Sequence, residues 1–147
     1  MNGNLVGIAR APALMAPLEE MTNALISLER GIDGDARGAK YGRQVTVLFR
    51  EGWEDACRDV SAELPWTTRR ANLYVANLDR PREAGGTLRI GEVELQVTME
   101  TRPCELMERS YTGLRAALRP DWRGGVCCVV RGGGEIKLGD LVEYTPR

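Results

Sequence analysis

Thr87-Leu88-Arg89-Ile90-Gly91-Glu92-Val93-Glu94-Leu95-Gln96-Val97-Thr98 is the stretch that decides the fold. Apolar and polar residues alternate on both sides of Gly91-Glu92, the pattern of two half-buried strands joined by a tight turn. Leu88, Ile90, Val93, Leu95 and Val97 supply the apolar faces of this hairpin. Downstream, Val126 to Arg131 reads as a buried strand, and Gly132-Gly133-Gly134 turns it into Glu135-Ile136-Lys137-Leu138. Gly139-Asp140 then turns the chain into Leu141-Val142-Glu143-Tyr144. Upstream, Leu5 to Ala9, Val45 to Phe49 and Asn72 to Leu78 read as further strands by their β-branched and apolar content.

Helical spacing marks three segments. Pro17 to Arg30 places Leu18, Met21, Leu25 and Leu28 three or four residues apart, which predicts an amphipathic helix stopped by Gly31. Glu51 to Leu64 carries Trp53, Ala56, Cys57 and Val60 on one face and meets Pro65. A third helix runs from Cys104 to about Leu118, with a break near Gly113 and Pro120 beyond it. The strands are short, divided by Gly turns, and do not alternate with helices as βαβ units. The expected class is therefore mainly β: a closed or nearly closed β-barrel with peripheral α-helices. No repeat, low-complexity tract or linker interrupts the chain, so one domain over residues 1–147 is expected, with its core at about residues 5–142.

Composition narrows the function. Twenty basic and 21 acidic residues give a net charge of −1, which offers no global attraction to nucleic acid or an anionic membrane. Aromatic residues are only 5%, too few for the stacking platforms of single-strand binders. An interaction-only barrel therefore ranks last. No stretch approaches the ~20 apolar residues of a membrane helix, and Met1-Asn2-Gly3-Asn4 lacks the basic start of a secretory signal. The expected location is cytoplasmic. Nearly all the basic residues are Arg, with only Lys40 and Lys137 as exceptions. Coding bias explains that for most of them, and guanidinium forks for phosphate or carboxylate explain it for others. Neither a Walker A loop nor a credible Gly-x-Gly-x-x-Gly dinucleotide motif is present.

The chain has no His and four Cys, at 57, 104, 127 and 128, without Cys-x-x-Cys spacing. Cys127 and Cys128 are adjacent in a strand and face opposite sides, and Cys57 lies on the buried side of a helix. Structural roles are expected for all three. Cys104, in Thr101-Arg102-Pro103-Cys104-Glu105, is different. If Pro103 takes the first helical position, the thiol sits in the first turn beside Arg102, where a thiolate is favoured, although Glu105 and Glu108 oppose it. A half-buried structural cysteine fits the same spacing. Gly34 to Gly38, Thr67 to Asn72 and Arg123 to Val126 carry the Gly, hydroxyl and guanidinium groups a phosphate requires. Asp35, Glu105 and Asp140 are the carboxylates open to acid–base work, but turn and helix-end roles explain the last two better.

In order along the chain, these elements resemble the MOSC domain, named for the C-terminal domain of molybdenum cofactor sulfurases and found alone in small bacterial proteins. Gly31-Ile32-Asp33-Gly34-Asp35 is similar to the family's early Gly-Asp loop, and Arg43-Gln44-Val45-Thr46-Val47-Leu48 to its next strand. Arg70-Ala71-Asn72-Leu73 falls where the family has an Asn at a strand entry, and Arg102-Pro103-Cys104 matches its cysteine. Arg123-Gly124-Gly125-Val126 and Gly134 to Asp140 complete the resemblance. Two positions depart from it: Ala36-Arg37 stand where many relatives have His, and Ala71 replaces a frequent Glu.

The resemblance implies a compact MOSC, PK-barrel-like β-barrel whose pocket takes the pterin-based molybdenum cofactor (molybdopterin). It implies Cys104 as molybdenum ligand or persulfide carrier, both suited to a soft thiolate. Arg43, Arg69, Arg70, Asn72, Arg102, Arg123 and Gly124 are the matching candidates for cofactor binding. The expected activity is reduction of N-hydroxylated or N-oxygenated substrates with a separate electron donor. The alternative is a non-redox sulfur carrier or cofactor-binding module with Cys104 as sulfur acceptor. The expected partner is correspondingly a redox protein or a sulfur donor protein, not nucleic acid or membrane.

Overall fold

The computed structural model describes residues 2–40 and 42–147. Eleven strands dominate it: β1 (Asn2–Arg10), β2 (Glu19–Met21), β3 (Asn23–Ser27), β4 (Gly31–Ile32), β5 (Val45–Phe49), β6 (Leu73–Ala76), β7 (Thr87–Ile90), β8 (Val93–Glu100), β9 (Val126–Gly132), β10 (Gly134–Lys137) and β11 (Leu141–Thr145). The helices are α1 (Arg50–Asp59), α2 (Glu105–Ser110) and α3 (Leu114–Leu118), with 3-10 turns at Trp66–Arg69 and Pro120–Trp122. Among the described residues no helix is long and apolar enough to cross a membrane.

The hairpin forms as its alternation requires, with Leu88 opposite Leu95 and Ile90 opposite Val93. From it the sheet runs β11-β7-β8-β9-β5-β6-β1, and β1 pairs with β11 through Asn2↔Glu143 to Asn4↔Leu141, closing a seven-strand barrel. Closure removes the exposed edges that an open sheet would leave. Ile8, Leu73, Val47, Leu88, Leu95, Val126 and Cys128 are among the side chains that fill the interior. A second sheet, β10-β3-β4, adds Ala24, Ile26, Ile32 and Ile136 to the same core.

Residues 17–30 are not helical. β2 and β3 occupy this region, and the buried residues are Ala24 and Ile26, at strand spacing. Leu25 and Leu28, counted on the apolar helical face, are exposed. Pairing decided this: β3 lies between β10, with Ile26 opposite Gly134, and β4, with Ile26 opposite Ile32. Such long-range pairing overrides local periodicity.

One βαβ crossover, not expected from the sequence, is present. β5 and β6 are parallel neighbours, Val47 opposite Leu73, joined by α1 and the first 3-10 turn. Parallel neighbours need a connection of this length. α1 is shorter than the spacing suggested, ending at Asp59 before Ser61 takes a left-handed φ of 53°. It packs with α2 and α3 outside the barrel, where Leu48, Trp53, Ala56, Met107, Leu114 and Leu118 form a second apolar cluster.

Candidate functional site

The end of β1 and the starts of β5 and β6 share one side of the barrel wall, while the end of β8 and the start of β9 approach from the opposite direction beside Val47 of the short strand β5. Between them lies a cavity of about 510 Å3, within the ordinary range for a small-molecule site. The three anion-type segments of the sequence converge on it: Arg37 from the first, Arg69, Arg70 and Asn72 from the second, and Gly124 from the third. Lys40, Arg43, Thr101, Arg102 and Cys104 also line it.

Arg69 is the centre of the arrangement. It ends the 3-10 turn and is only 8% exposed. Its Nε donates to the Gly124 carbonyl at 3.2 Å and its Nη2 to the Thr101 carbonyl at 2.7 Å. Among the described residues no carboxylate pairs with it. Burial pushes the guanidinium down to about 10, with the Cys104 and Cys127 thiols opposing and Arg43 reinforcing the shift. Moving an ion out of water costs several kcal/mol even after relaxation. Two charge-assisted bonds to carbonyls return roughly 1.5–3 kcal/mol each. An incoming anion would add the missing compensation.

Gly124 makes this cradle possible. A Cβ there would lie 2.4 Å from the Thr101 carbonyl oxygen and 3.1 Å from Arg69 Nη2. Gly125 follows with φ 91°, and its Cβ would meet the Val47 carbonyl oxygen at 2.2 Å. Glycine therefore lets β9 start in contact with both the end of β8 and β5.

Arg70 stands at a left-handed φ of 65° and sends Nη2 to the Ala16 carbonyl at 2.7 Å. Burial and the neighbouring Arg37 both lower its pKa, against Asp35. Arg37 Nη1 donates to the Arg70 carbonyl at 2.6 Å, and its Nη2 meets the fully buried Asp35 carboxylate at 2.9 Å. Asp35 Oδ1 also accepts the Ala11 amide at 2.8 Å. This carboxylate is thus a structural clamp, its acceptor sites filled, which removes it as an acid–base candidate.

Asn72 borders the cavity with its carboxamide engaged. Oδ1 accepts the Thr46 amide at 3.0 Å and Nδ2 donates to the Ala9 carbonyl at 3.2 Å. It ties β1, β5 and β6 at the cavity floor. Arg123 is not brought to the cavity. Its Nη1 binds Asp59 Oδ2 at 2.7 Å and the Ala117 carbonyl at 3.0 Å, on the helical side of the barrel. The residue after it, Gly124, is the one that faces inward.

Cys104 is exposed and caps α2 with extended backbone, φ −117° and ψ −176°. Glu105 is the first helical residue, so Pro103 precedes the cap and is not at the first helical position. Arg102 beside it is exposed, with Glu100 3.9 Å away. All four cysteines are free. Cys128 faces the barrel core, where burial drives its thiol far up, and burial also raises Cys57. Cys127 is buried under the cavity end with Sγ 3.2 Å from Thr101 Oγ1. Asp140 terminates its turn by accepting the Lys137 amide at 2.9 Å.

The sequence reading omitted Lys40, Thr46, Thr101 and the apolar pair Leu14-Met15, all at the cavity. A Pro- and Ala-rich connection such as Ala11 to Pro17 carries no local signal of what it covers. Arg37 was legible only as part of a Gly-rich turn. The structure puts its guanidinium at the cavity.

The model of the MOSC domain matches residues 34–143. The chain belongs to the MOSC domain family. The YUAD protein from Bacillus subtilis, at 15% identity, superposes with a TM-score of 0.85 over 100% of this chain and 98% of its own. YiiM from Escherichia coli, at 16% identity, gives 0.73 over 100% of this chain and 71% of its own. YiiM from Geobacillus stearothermophilus, at 13% identity, gives 0.70 over 99% and 74%. At these identities the likeness concerns the fold. Among curated protein sequences no match is found. In this MOSC domain the cavity carries Cys104 on its lining. Among the described residues no group of three or more Cys, Asp or Glu side chains clusters as a metal site.

Proposed function

We propose that this MOSC protein holds the molybdenum cofactor in the cationic cavity and reduces N-hydroxylated or N-oxygenated substrates with electrons from a separate redox protein. One observation carries the reading. Among the described residues, six cations, Arg37, Lys40, Arg43, Arg69, Arg70 and Arg102, line the cavity with a single thiol and no carboxylate, and only Arg37 and Arg102 have a carboxylate, Asp35 and Glu100, within 4 Å behind the lining. The family is associated with that cofactor, and the residues present fit its chemistry. Buried Arg69, tied only to carbonyls, suits an anionic phosphate group. Cys104, exposed on the lining, suits a soft metal.

In this reading Arg69, Arg70 and Arg43 hold the anionic end, Arg102 adds charge at the rim, and Gly124 shapes the cradle behind Arg69. Asn72 keeps the floor in register, and Cys104 provides the protein's thiolate ligand. Bound there, the cofactor supplies two-electron chemistry at the metal. Converting R–NHOH to R–NH2 consumes two electrons and two protons and releases water, so a donor protein is required. A chain with four free thiols suits a reducing compartment, the cytoplasm.

The exposure of Cys104 also favours a second reading, a persulfide carrier without turnover. Purification from cells that make the cofactor separates the two. The expected result is molybdenum and pterin in the wild type, reduction of 6-hydroxylaminopurine, and loss of metal and turnover in Cys104→Ser. A persulfide on Cys104 without cofactor would instead establish the carrier. Absence of both would overturn each reading.

A further inference from the structure

The connection from β1 to β2 crosses the rim of the cavity. Its two feet are tied to the cavity's own charged residues. At one foot Asp35 accepts the Ala11 amide at 2.8 Å while binding Arg37, and the Ala36 amide donates to the Ala11 carbonyl at 2.8 Å. At the other, Arg70 Nη2 holds the Ala16 carbonyl at 2.7 Å. Between the feet the Ala16 amide closes a turn on the Ala13 carbonyl at 3.1 Å.

Leu14 and Met15 form the tip. They line the cavity and yet are 74% and 69% exposed, the highest among the exposed large apolar side chains described. Met15 also adopts φ 63°, a left-handed conformation that a side chain with a Cβ takes at a cost. Backbone strain of this kind persists where neighbouring contacts impose it, and it concentrates at functional sites. Leu106 and Met107 add apolar surface to the same cavity. One part of the lining is therefore cationic and another apolar.

We propose that Leu14 and Met15 are specificity-determining residues, forming an apolar wall that holds the planar heteroaromatic body of the substrate. Arg70 is a positioning residue that keeps this wall over the cavity. The inference deepens the proposed function and rests on it for the identity of the reaction. The recognition itself is independent of turnover: an aromatic ring covers two exposed apolar side chains, whereas a small polar molecule cannot.

Methionine oxidation reads the wall directly. The full-length protein, with and without cofactor, is treated with dilute peroxide in the presence of adenine or of acetamide, and oxidation is followed peptide by peptide. Adenine is expected to slow oxidation of Met15 about fivefold. It should leave Met99, which is exposed and does not line the cavity, unchanged, and acetamide should protect neither. In Leu14→Ser the adenine concentration for half-protection of Met15 is expected to rise about tenfold. Equal oxidation of Met15 up to the solubility limit of adenine, or equal protection by acetamide or of Met99, overturns the proposal.

Kinetics give the second measurement. Leu14→Ser/Met15→Ser, both at an exposed tip, should raise KM for 6-hydroxylaminopurine about tenfold with kcat largely retained. The preference in kcat/KM over N-methylhydroxylamine should fall by the same factor. Equal loss for both substrates overturns the proposal. Met15 protection in a protein that reduces neither compound leaves the wall standing and removes the reductase. Reduction without protection does the reverse.

Discussion

Arg69 and Arg80 are equally buried, each 8% exposed, and they sit in opposite electrostatic settings. Arg80 sends Nε to the Asp121 carbonyl at 2.7 Å and Nη2 to the Asp121 carboxylate at 2.9 Å. Arg82 binds the same carboxylate at 2.7 Å and Asp79 at 2.9 Å. These two arginines and two aspartates balance one another, with the Arg82 pKa raised and that of Asp121 lowered by their mutual hydrogen bond. Arg69 has two carbonyls and, among the described residues, no carboxylate, with Arg43 close enough to add to its lowered pKa. A matched cluster locks loops together. An unmatched one, around a cavity, is built for an anion that arrives from outside.

The comparison can be broken most severely at Gly124. Gly124→Ala places a methyl group 2.4 Å from the Thr101 carbonyl and against Arg69. A cost of about 3 kcal/mol in urea unfolding is expected, with loss of phosphate binding. A native-like stability would show that the Arg69 cradle is loose.

Arginine removal sharpens it. Arg80→Met forfeits a charged bond and a backbone bond and should cost about 2 kcal/mol. Arg69→Met also loses two bonds but releases an unpaired buried cation, so its cost should be smaller, about 1 kcal/mol. Inorganic phosphate separates them in the other direction. It should raise the Tm of the wild type and of Arg80→Met by a few degrees, through binding to the folded state, and leave Arg69→Met unmoved. Equal responses in the two variants would dissolve the distinction.

Acid gives the smallest effect. Because the Asp121 pKa is lowered by folding, its contribution is present above the ordinary aspartate range, ~4, and is lost as pH falls through its lower folded value. Asp121→Asn should therefore reduce stability at neutral pH and flatten the loss as pH falls below the ordinary aspartate range, ~4. More than half of that carboxylate is exposed, so screening keeps the change small. An unchanged acid profile would show that the cluster contributes nothing to folding.

The hairpin at 87–98 was legible because its alternation and turn are local, and the same holds for β5, β9 and β11. The spaced leucines of residues 17–30 misled, since the strand partners that bury Ala24 and Ile26 lie at 134–137 and 31–32. Of the candidates legible in the sequence, Cys104, Arg43, Arg69, Arg70, Asn72, Arg102 and Gly124 line one cavity. Arg123 was chosen with Gly124 as a neighbour, but adjacent side chains need not share a direction, and its guanidinium pairs with Asp59. Leu14 and Met15 were invisible because nothing in Ala11 to Pro17 records that Asp35, 24 residues beyond Ala11, and Arg70, 54 residues beyond Ala16, will anchor it.

By itself the sequence determined the mainly β class, the strand-forming segments and the residue types of an anion- and thiol-based site, because alternation, turn chemistry and side-chain chemistry act over a few residues. Only the tertiary structure decided the ring closure through β1 and β11, the parallel step from β5 to β6, and which cations stay without a carboxylate. Those outcomes depend on contacts between segments far apart in the chain, where one strand's register sets what every neighbouring side chain can reach.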